Sequence, residues 1–172
     1  MTAENRFKSA LINWLCANDM PNIDIDFNYD FGYAMDEELG IHKINIGVAN
    51  NEDAGRYFEQ FLYEYGCEYC GIPYPILCML HECGHVMTIE QFSDSELFLF
   101  ELSKQFSHGE EAQEWFNRYW HMPDEFAANM WVVDFINNHI EEVENLCNTF
   151  INAWIELRSH VNSMFDLIQE EK

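Results

Sequence analysis

Apolar residues recur at two different spacings along the chain, and each change of spacing marks a new structural element. Residues 3–17 carry apolar side chains at the spacing of one helix face. Residues 23–49 instead alternate apolar and polar side chains, which is strand periodicity. These residues predict an antiparallel hairpin, with or without a third short strand. From about residue 53 onward the pattern is helical again.

Helical patterns fill the remainder of the chain and are separated by glycine and proline. The longer helices expected there cover 53–65, 75–91, 123–139 and 140–168. A Ser-Asp-Ser-Glu capping box at 93–96 opens a further short helix. The sequence therefore predicts one α+β domain over residues 1–172, mostly helical, with the small antiparallel sheet before the helix at 75–91.

Composition and charge limit the class of protein. Hydrophobic residues make up 48% of the chain, which is too many for a disordered acidic tail. The net charge is −23, since 31 acidic residues stand against 8 basic ones. Such a surface disfavours direct binding to nucleic acid and favours basic protein partners. No signal peptide or membrane-length apolar run is recognisable, so we expect a cytoplasmic protein without membrane contact.

The chemistry of the chain centres on the segment LHECGHVM, residues 80–87. His81 and His85 are four residues apart, so a helix can aim both imidazoles at one metal ion, for which zinc is well suited. Glu82 lies beside them and can take a proton from a water molecule that the metal activates. Gly84 lets another backbone approach closely, at a cost of about 1 kcal/mol in helix propensity. The alternative is a buried helix whose histidines are merely hydrogen-bonded.

A catalytic zinc site needs a third protein ligand, and the best candidate lies in PDEFAANMW, residues 123–131. Glu125 and its neighbour Asp124 would point about 100° apart on a helix. His121 precedes this helix and is a further candidate, either as an alternative ligand or as support for a developing oxyanion. Asn129 lies one turn after Glu125 on the same face and can orient a ligand.

HECGH followed by EFAAN resembles the compact gluzincin-type zinc metallopeptidases, which include the repressor-cleaving peptidases of phages and mobile elements. In that family an HExGH helix precedes an ExxAN helix. The resemblance implies a minimal zincin fold in which His81, His85 and Glu125 bind zinc. It also implies that Glu82 is the base in the hydrolysis of a protein substrate. The acidic surface makes a basic or DNA-binding substrate the expected one.

Two other hypotheses stay open. The chain can instead be a highly acidic, DNA-mimic-like inhibitor that binds a nucleic-acid-binding protein and keeps only a structural or inactive zinc site. Cys67 and Cys70 form a CxxC pair, which can be half of a structural zinc site, but no second CxxC follows and ordinary reduced thiols are expected. Within the catalytic hypothesis, Tyr74 and Tyr119 are conceivable oxyanion donors.

Overall fold

A computed structural model describes residues 9, 11–15, 17, 18, 20, 23–28, 32–36, 38–47, 52–105 and 109–148. Its strands are β1 (Ile23–Asn28), β2 (Gly32–Asp36) and β3 (Ile41–Gly47). The helices that follow are α1 (Glu52–Glu64), α2 (Tyr74–Thr88), α3 (Asp94–Ser103), α4 (Ala112–Trp120) and α5 (Pro123–Asn138). This order confirms the α+β class, with a small sheet before a largely helical remainder.

The strands form one mixed sheet in the order β1–β3–β2. β2 and β3 are antiparallel neighbours, joined by a turn in which Gly40 has a φ of 62° and donates its N–H to the Asp36 carbonyl. β1 and β3 are parallel neighbours. The alternation in the sequence is reproduced in the burial of the strands, since Ile44 and Ile46 are buried whereas Lys43 is exposed.

The prediction of an antiparallel sheet is wrong for the pair formed by β1 and β3. Alternation indicates which face of a strand is buried, but it does not indicate the direction of its neighbour. The sequence pattern allowed a third short strand, and β2 is that strand, which pairs with β3. A parallel pair needs a longer connection than a hairpin does, and here that connection contains β2.

The two helices that carry the motif residues lie where the sequence pattern predicts them. α2 covers all but the last turn of the expected 75–91, and a short 3₁₀ helix at Ile89–Gln91 completes that range. α5 ends one residue before the expected 139. Pro123 begins α5, where its missing N–H is not needed by the helix.

The helices expected at the two ends of the chain are only partly within the described residues. The structure is helical at 9, 11–15 and 17, and again at 140–148. The other positions of the predicted 3–17 and 140–168 lie outside the described residues. None of the helices in the described part has the length and hydropathy that a membrane span requires.

The chain divides into two compact units. One contains the sheet, Ile72–Met79 and the chain from Glu141 onward, and its buried apolar residues include Leu11, Ile25, Ile44, Ile46 and Leu146. The other contains Asn51–Gly71 and Leu80–Ile140, and its buried apolar residues include Phe61, Leu62, Cys83, Ala128, Val132 and Ile136. The candidate ligands and the base all belong to this second unit. The expectation of a single domain over 1–172 stays a prediction.

Candidate metal centre

The helix α2 presents two imidazoles on one buried face. His81 and His85 are one turn apart, and their Nε2 atoms lie 3.2 Å from each other. Both side chains are buried, and Leu80 and Cys83 beside them are fully buried as well. Two histidines held this closely in an apolar helix have little freedom to turn towards solvent. The helix therefore fixes two nitrogen donors at one point.

The helix α5 brings a carboxylate to the same point. Glu125 lies in the first turn of α5 and is only 1% exposed. Its Oε2 lies 2.9 Å from His81 Nε2 and 3.3 Å from His85 Nε2. Residues that are forty positions apart in the sequence thus place three donor atoms in contact.

Gly84 allows the two helices to approach this closely. A Cβ atom at position 84 would lie 2.5 Å from the carbonyl oxygen of Ala128 and 3.0 Å from its Cα. Atoms of that type do not approach within 3.0 Å, so any side chain at this position would push the backbones apart. Glycine in α2 and the small Ala128 in α5 therefore set the distance between the histidine pair and Glu125.

The triangle of donor atoms has the dimensions of a metal site. In a tetrahedral zinc site with bonds of roughly 2.0–2.1 Å, neighbouring ligand atoms are about 3.3 Å apart. The three separations of 2.9, 3.2 and 3.3 Å are close to that value. His81, His85 and Glu125 form a buried group that could hold a metal ion, and it is the one such group within the part of the chain that the structure describes.

The hydrogen bonding of Glu125 Oε2 is a second sign of such a site. This oxygen is enclosed, yet it accepts no hydrogen bond of acceptable geometry from the described residues. Both imidazole nitrogens lie close to it, at 2.9 Å and 3.3 Å, and attract it by charge. A buried carboxylate oxygen of this kind can still direct a lone pair at a cation. This is what a metal ligand requires.

Asn129 orients one of the imidazoles. Its Oδ1 lies 2.8 Å from His81 Nδ1, and both groups are buried. When Nδ1–H donates to this oxygen, the lone pair of the ring is on Nε2, which faces Glu125 and His85. The structure thus places Asn129 one turn along α5 from Glu125, in contact with the other helix.

Aromatic side chains of α1 and α4 form a layer that contacts the imidazole of His81 through Phe58. The rings of Phe58 and His81 meet edge to face with centroids 5.6 Å apart. Trp120 packs on Phe58 at 5.4 Å and on Phe61 at 5.6 Å. This apolar layer lowers the local dielectric beside His81, which strengthens the electrostatic interactions of that imidazole.

The candidate ligands His81 and Glu125 shift each other's pKa values. Burial lowers the pKa of His81, but the adjacent Glu125 carboxylate outweighs it and raises that pKa to about 9. Burial likewise raises the pKa of Glu125, but its contacts with the two imidazoles hold it well below the usual value. Glu125 is therefore an anion at neutral pH.

Glu82 is a buried carboxyl group beside the ligands. Burial raises its pKa, and the charges of His81 and His85 oppose that rise. A carboxylate with a raised pKa is a better proton acceptor than one on the surface. The position and the electrostatics of Glu82 therefore suit a general base.

Lys104 is a part of the site that the sequence did not reveal. It follows α3, and its Nζ lies 2.7 Å from Asp124 Oδ2 and 2.7 Å from Glu125 Oε1. Burial lowers its pKa, but the surrounding carboxylates, Glu125 above all, outweigh burial and raise it above the usual value. No motif links this lysine to the HExxH segment, and only its rarity in an acidic chain could have drawn attention to it.

The other candidates lie elsewhere or are engaged. Asp124 is buried but its Oδ2 binds Lys104, and it is not a member of the three-residue group. His121 is exposed, and its Nε2 lies 2.9 Å from the hydroxyl of Tyr65. The structure does not bring His121 into the ligand group. Tyr119 hydrogen-bonds to Glu125, and burial followed by the charge of Glu125 raises its pKa.

The cysteines of the CxxC pair lie apart from this chemistry. Cys67 is buried and its thiol donates to the Tyr69 carbonyl at 3.3 Å, while Cys70 is exposed. Burial raises the pKa of Cys67. Neither residue belongs to the group of possible ligands found among the described residues.

Comparisons of this chain with protein-family models, with curated proteins and with solved structures find no match. The chemical interpretation of the centre therefore depends on its own geometry.

Proposed function

We propose that this protein is a zinc-dependent metallopeptidase. The observation that carries the proposal is the convergence of His81 Nε2, His85 Nε2 and Glu125 Oε2 within 3.3 Å of one another. Two imidazoles and one carboxylate are a common protein ligand set of catalytic zinc, which keeps its fourth position for water or substrate. When bound, zinc would supply a Lewis acid that polarises the scissile carbonyl and makes water more acidic.

The residues of the chain would have separate roles in hydrolysis. Glu82 would take the proton of the attacking water and return it to the leaving amine, a task that its raised pKa favours. Asn129 would hold the His81 ring so that Nε2 faces the ligand group. The aromatic residues Phe58 and Trp120 would keep bulk water away from the imidazole of His81.

The charge of the protein supports a basic substrate. The net charge is −23. In the unit that contains the ligands, α3 carries the exposed acids Asp94, Glu96 and Glu101, whereas Lys104 at its end is bound by carboxylates. The negative electrostatic field of these acids attracts a basic or DNA-binding protein and repels nucleic acid. The likeness of HECGH and EFAAN to repressor-cleaving peptidases of phages and mobile elements agrees with such a substrate.

Metal analysis combined with one conservative substitution tests this function. Protein purified without chelator should contain close to one equivalent of zinc per chain. Glu82→Gln should retain the zinc and lose about 10²–10⁴-fold of the cleavage rate on basic protein substrates. Glu90→Gln is the matched control, because Glu90 is exposed and follows the same helix. Protein without metal, or a Glu82→Gln variant that cleaves like the wild type, would refute the proposal.

A second hypothesis is an acidic inhibitor that occupies a nucleic-acid-binding protein without cleaving it. The exposed acids Glu141, Glu142 and Glu144 favour it, because they form a negative surface on the helical residues 140–148. Glu82→Gln should then leave activity unchanged, whereas neutralising these three acids should abolish it. Binding that does not weaken with added salt would contradict this hypothesis.

A further inference from the structure

Lys104 is surrounded by carboxylates and has little contact with solvent. Its side chain is 14% exposed, and its Nζ lies 2.7 Å from each of three oxygens, Glu101 Oε1, Asp124 Oδ2 and Glu125 Oε1. An ammonium group has three N–H donors, so this set of partners uses all of them. The ammonium is therefore held in place by its own hydrogen bonds.

The two oxygens of Glu125 have different partners. Oε1 faces Lys104, whereas Oε2 faces the imidazoles of His81 and His85. An ammonium at 2.7 Å forms a charge-assisted hydrogen bond, which is stronger than the bond that the neutral Tyr119 hydroxyl makes to this carboxylate. The ammonium on Oε1 would repel a second cation beside it, so the carboxylate presents Oε2 to the cation.

We infer that Lys104 is a positioning residue that makes Glu125 a monodentate ligand. A carboxylate that offers both oxygens adds a fourth protein atom to the two imidazole nitrogens. A carboxylate that offers one oxygen leaves three protein atoms, and a tetrahedral ion then keeps one position for water or substrate. The inference rests on the metal site of the proposed function and does not depend on which reaction the site performs.

If Lys104 acted only by neutralising charge, a different result would be expected. In that case any substitution that preserves the local charge would preserve the coordination of the metal. Removing both Lys104 and the charge of Asp124 leaves the local charge unchanged but frees Oε1 of Glu125. The double substitution therefore distinguishes the effect of the freed Glu125 oxygen from the effect of local charge.

Co²⁺ is a suitable probe because its visible absorption depends on coordination number, and four-coordinate Co²⁺ absorbs several-fold more strongly than five- or six-coordinate Co²⁺. Wild-type protein loaded with Co²⁺ should give the intense four-coordinate spectrum. In Lys104→Met the released Oε1 should join the ion, so the absorption should fall several-fold. The affinity for Zn²⁺ should change by about 10–100-fold, as for other residues that orient metal ligands.

Three further variants complete the experiment. Lys104→Arg keeps a cationic donor for Oε1 and should restore most of the spectrum. The double variant Lys104→Met with Asp124→Asn should lose the spectrum as Lys104→Met does, and it provides the test if the single variant fails to fold. Glu90→Gln is the control, because it removes an exposed carboxylate that is not among the partners of Lys104. It should behave like the wild type.

The outcomes discriminate between the two proposals. Wild-type protein that binds no Co²⁺ would overturn the metal site and this inference together. Wild-type protein that binds Co²⁺ while either methionine variant keeps the four-coordinate spectrum would overturn the role of Lys104 alone. No substrate enters the experiment, so a failure to find peptidase activity leaves its result unaffected.

Discussion

The contact between Gly84 and Ala128 allows a direct test of how the two ligand helices are held together. Gly84→Ala adds one methyl group, whose carbon would lie 2.5 Å from the Ala128 carbonyl oxygen. Ordinary contacts of carbon begin at about 3.5 Å, so the helices α2 and α5 must separate by roughly 1 Å. The clashing atoms belong to the backbone, and no side-chain rotation can relieve the clash.

The expected magnitude follows from two opposing effects. Alanine improves the intrinsic helix propensity of α2 by about 1 kcal/mol over glycine. Overpacking in a dense interior costs about 1–3 kcal/mol, and a clash with backbone belongs at the upper end of that range. We therefore expect Gly84→Ala to lower the free energy of unfolding by about 2 kcal/mol, whereas a solvent-exposed helical glycine would give a gain.

The proposed metal site should respond more strongly than the overall stability. Glu125 is on α5 and the histidines are on α2, so a separation of the helices moves the carboxylate from the imidazoles. Metal–ligand distances tolerate deviations of about 0.2 Å, which is several times smaller than the required movement. The affinity for Zn²⁺ should fall by at least about tenfold.

Urea titration and competition with a chromophoric chelator measure the two effects. The matched control is Gly32→Ala in β2, where an added Cβ would have no atom within 4 Å. That variant should keep its metal affinity and lose no stability. If Gly84→Ala proves as stable as the wild type and binds Zn²⁺ equally well, the helices do not pack at the distance described and the argument for the site's geometry is wrong.

Two further predictions concern Asn129 and the capping box of α3. Asn129→Ala removes the oxygen that lies 2.8 Å from His81 Nδ1, so the affinity for Zn²⁺ should fall about 10–100-fold in a chelator competition, and an unchanged affinity would contradict the orienting role. Glu96 accepts hydrogen bonds from the Ser93 side chain and N–H, which lower its pKa. Its contribution to stability is therefore present above the pKa of the unfolded chain and is lost as the pH falls through the lowered pKa of the folded chain. The difference between wild type and Glu96→Gln in urea titrations should disappear in the acid range, and a difference that persists there would contradict this assignment.

Much of the local structure could be predicted because it is encoded within short segments. The bounds of α2 and α5 follow from helical periodicity, from Pro123 at a helix start and from the spacing of His81 and His85. The expectation that Gly84 admits a second backbone also came from one residue, since glycine is costly in a helix unless space is needed. Glu125 was selected through a resemblance between motifs, because periodicity alone left Asp124 and His121 open.

The remaining features depend on contacts between distant segments, which periodicity does not report. The direction of β1 relative to β3 depends on how the chain returns through β2. The contact of Lys104 with Glu125 joins the end of α3 to the start of α5. A lysine at position 104 has no spacing relation to the motif, so its role became visible only once the helices were assembled.

The charges of the assembled centre provide a separate argument for a divalent cation. Three buried carboxylates, Glu82, Asp124 and Glu125, stand against one half-buried ammonium, Lys104. The exposed Glu101 aside, this leaves two excess negative charges when all are ionised. Uncompensated buried charge is costly, so the centre must acquire positive charge in some form. Without a metal that positive charge comes from protons, consistent with the raised pKa values of Glu82 and of His81, the latter at about 9. A divalent cation would supply the same two charges and would leave both imidazoles neutral, which is the form in which they bind metals.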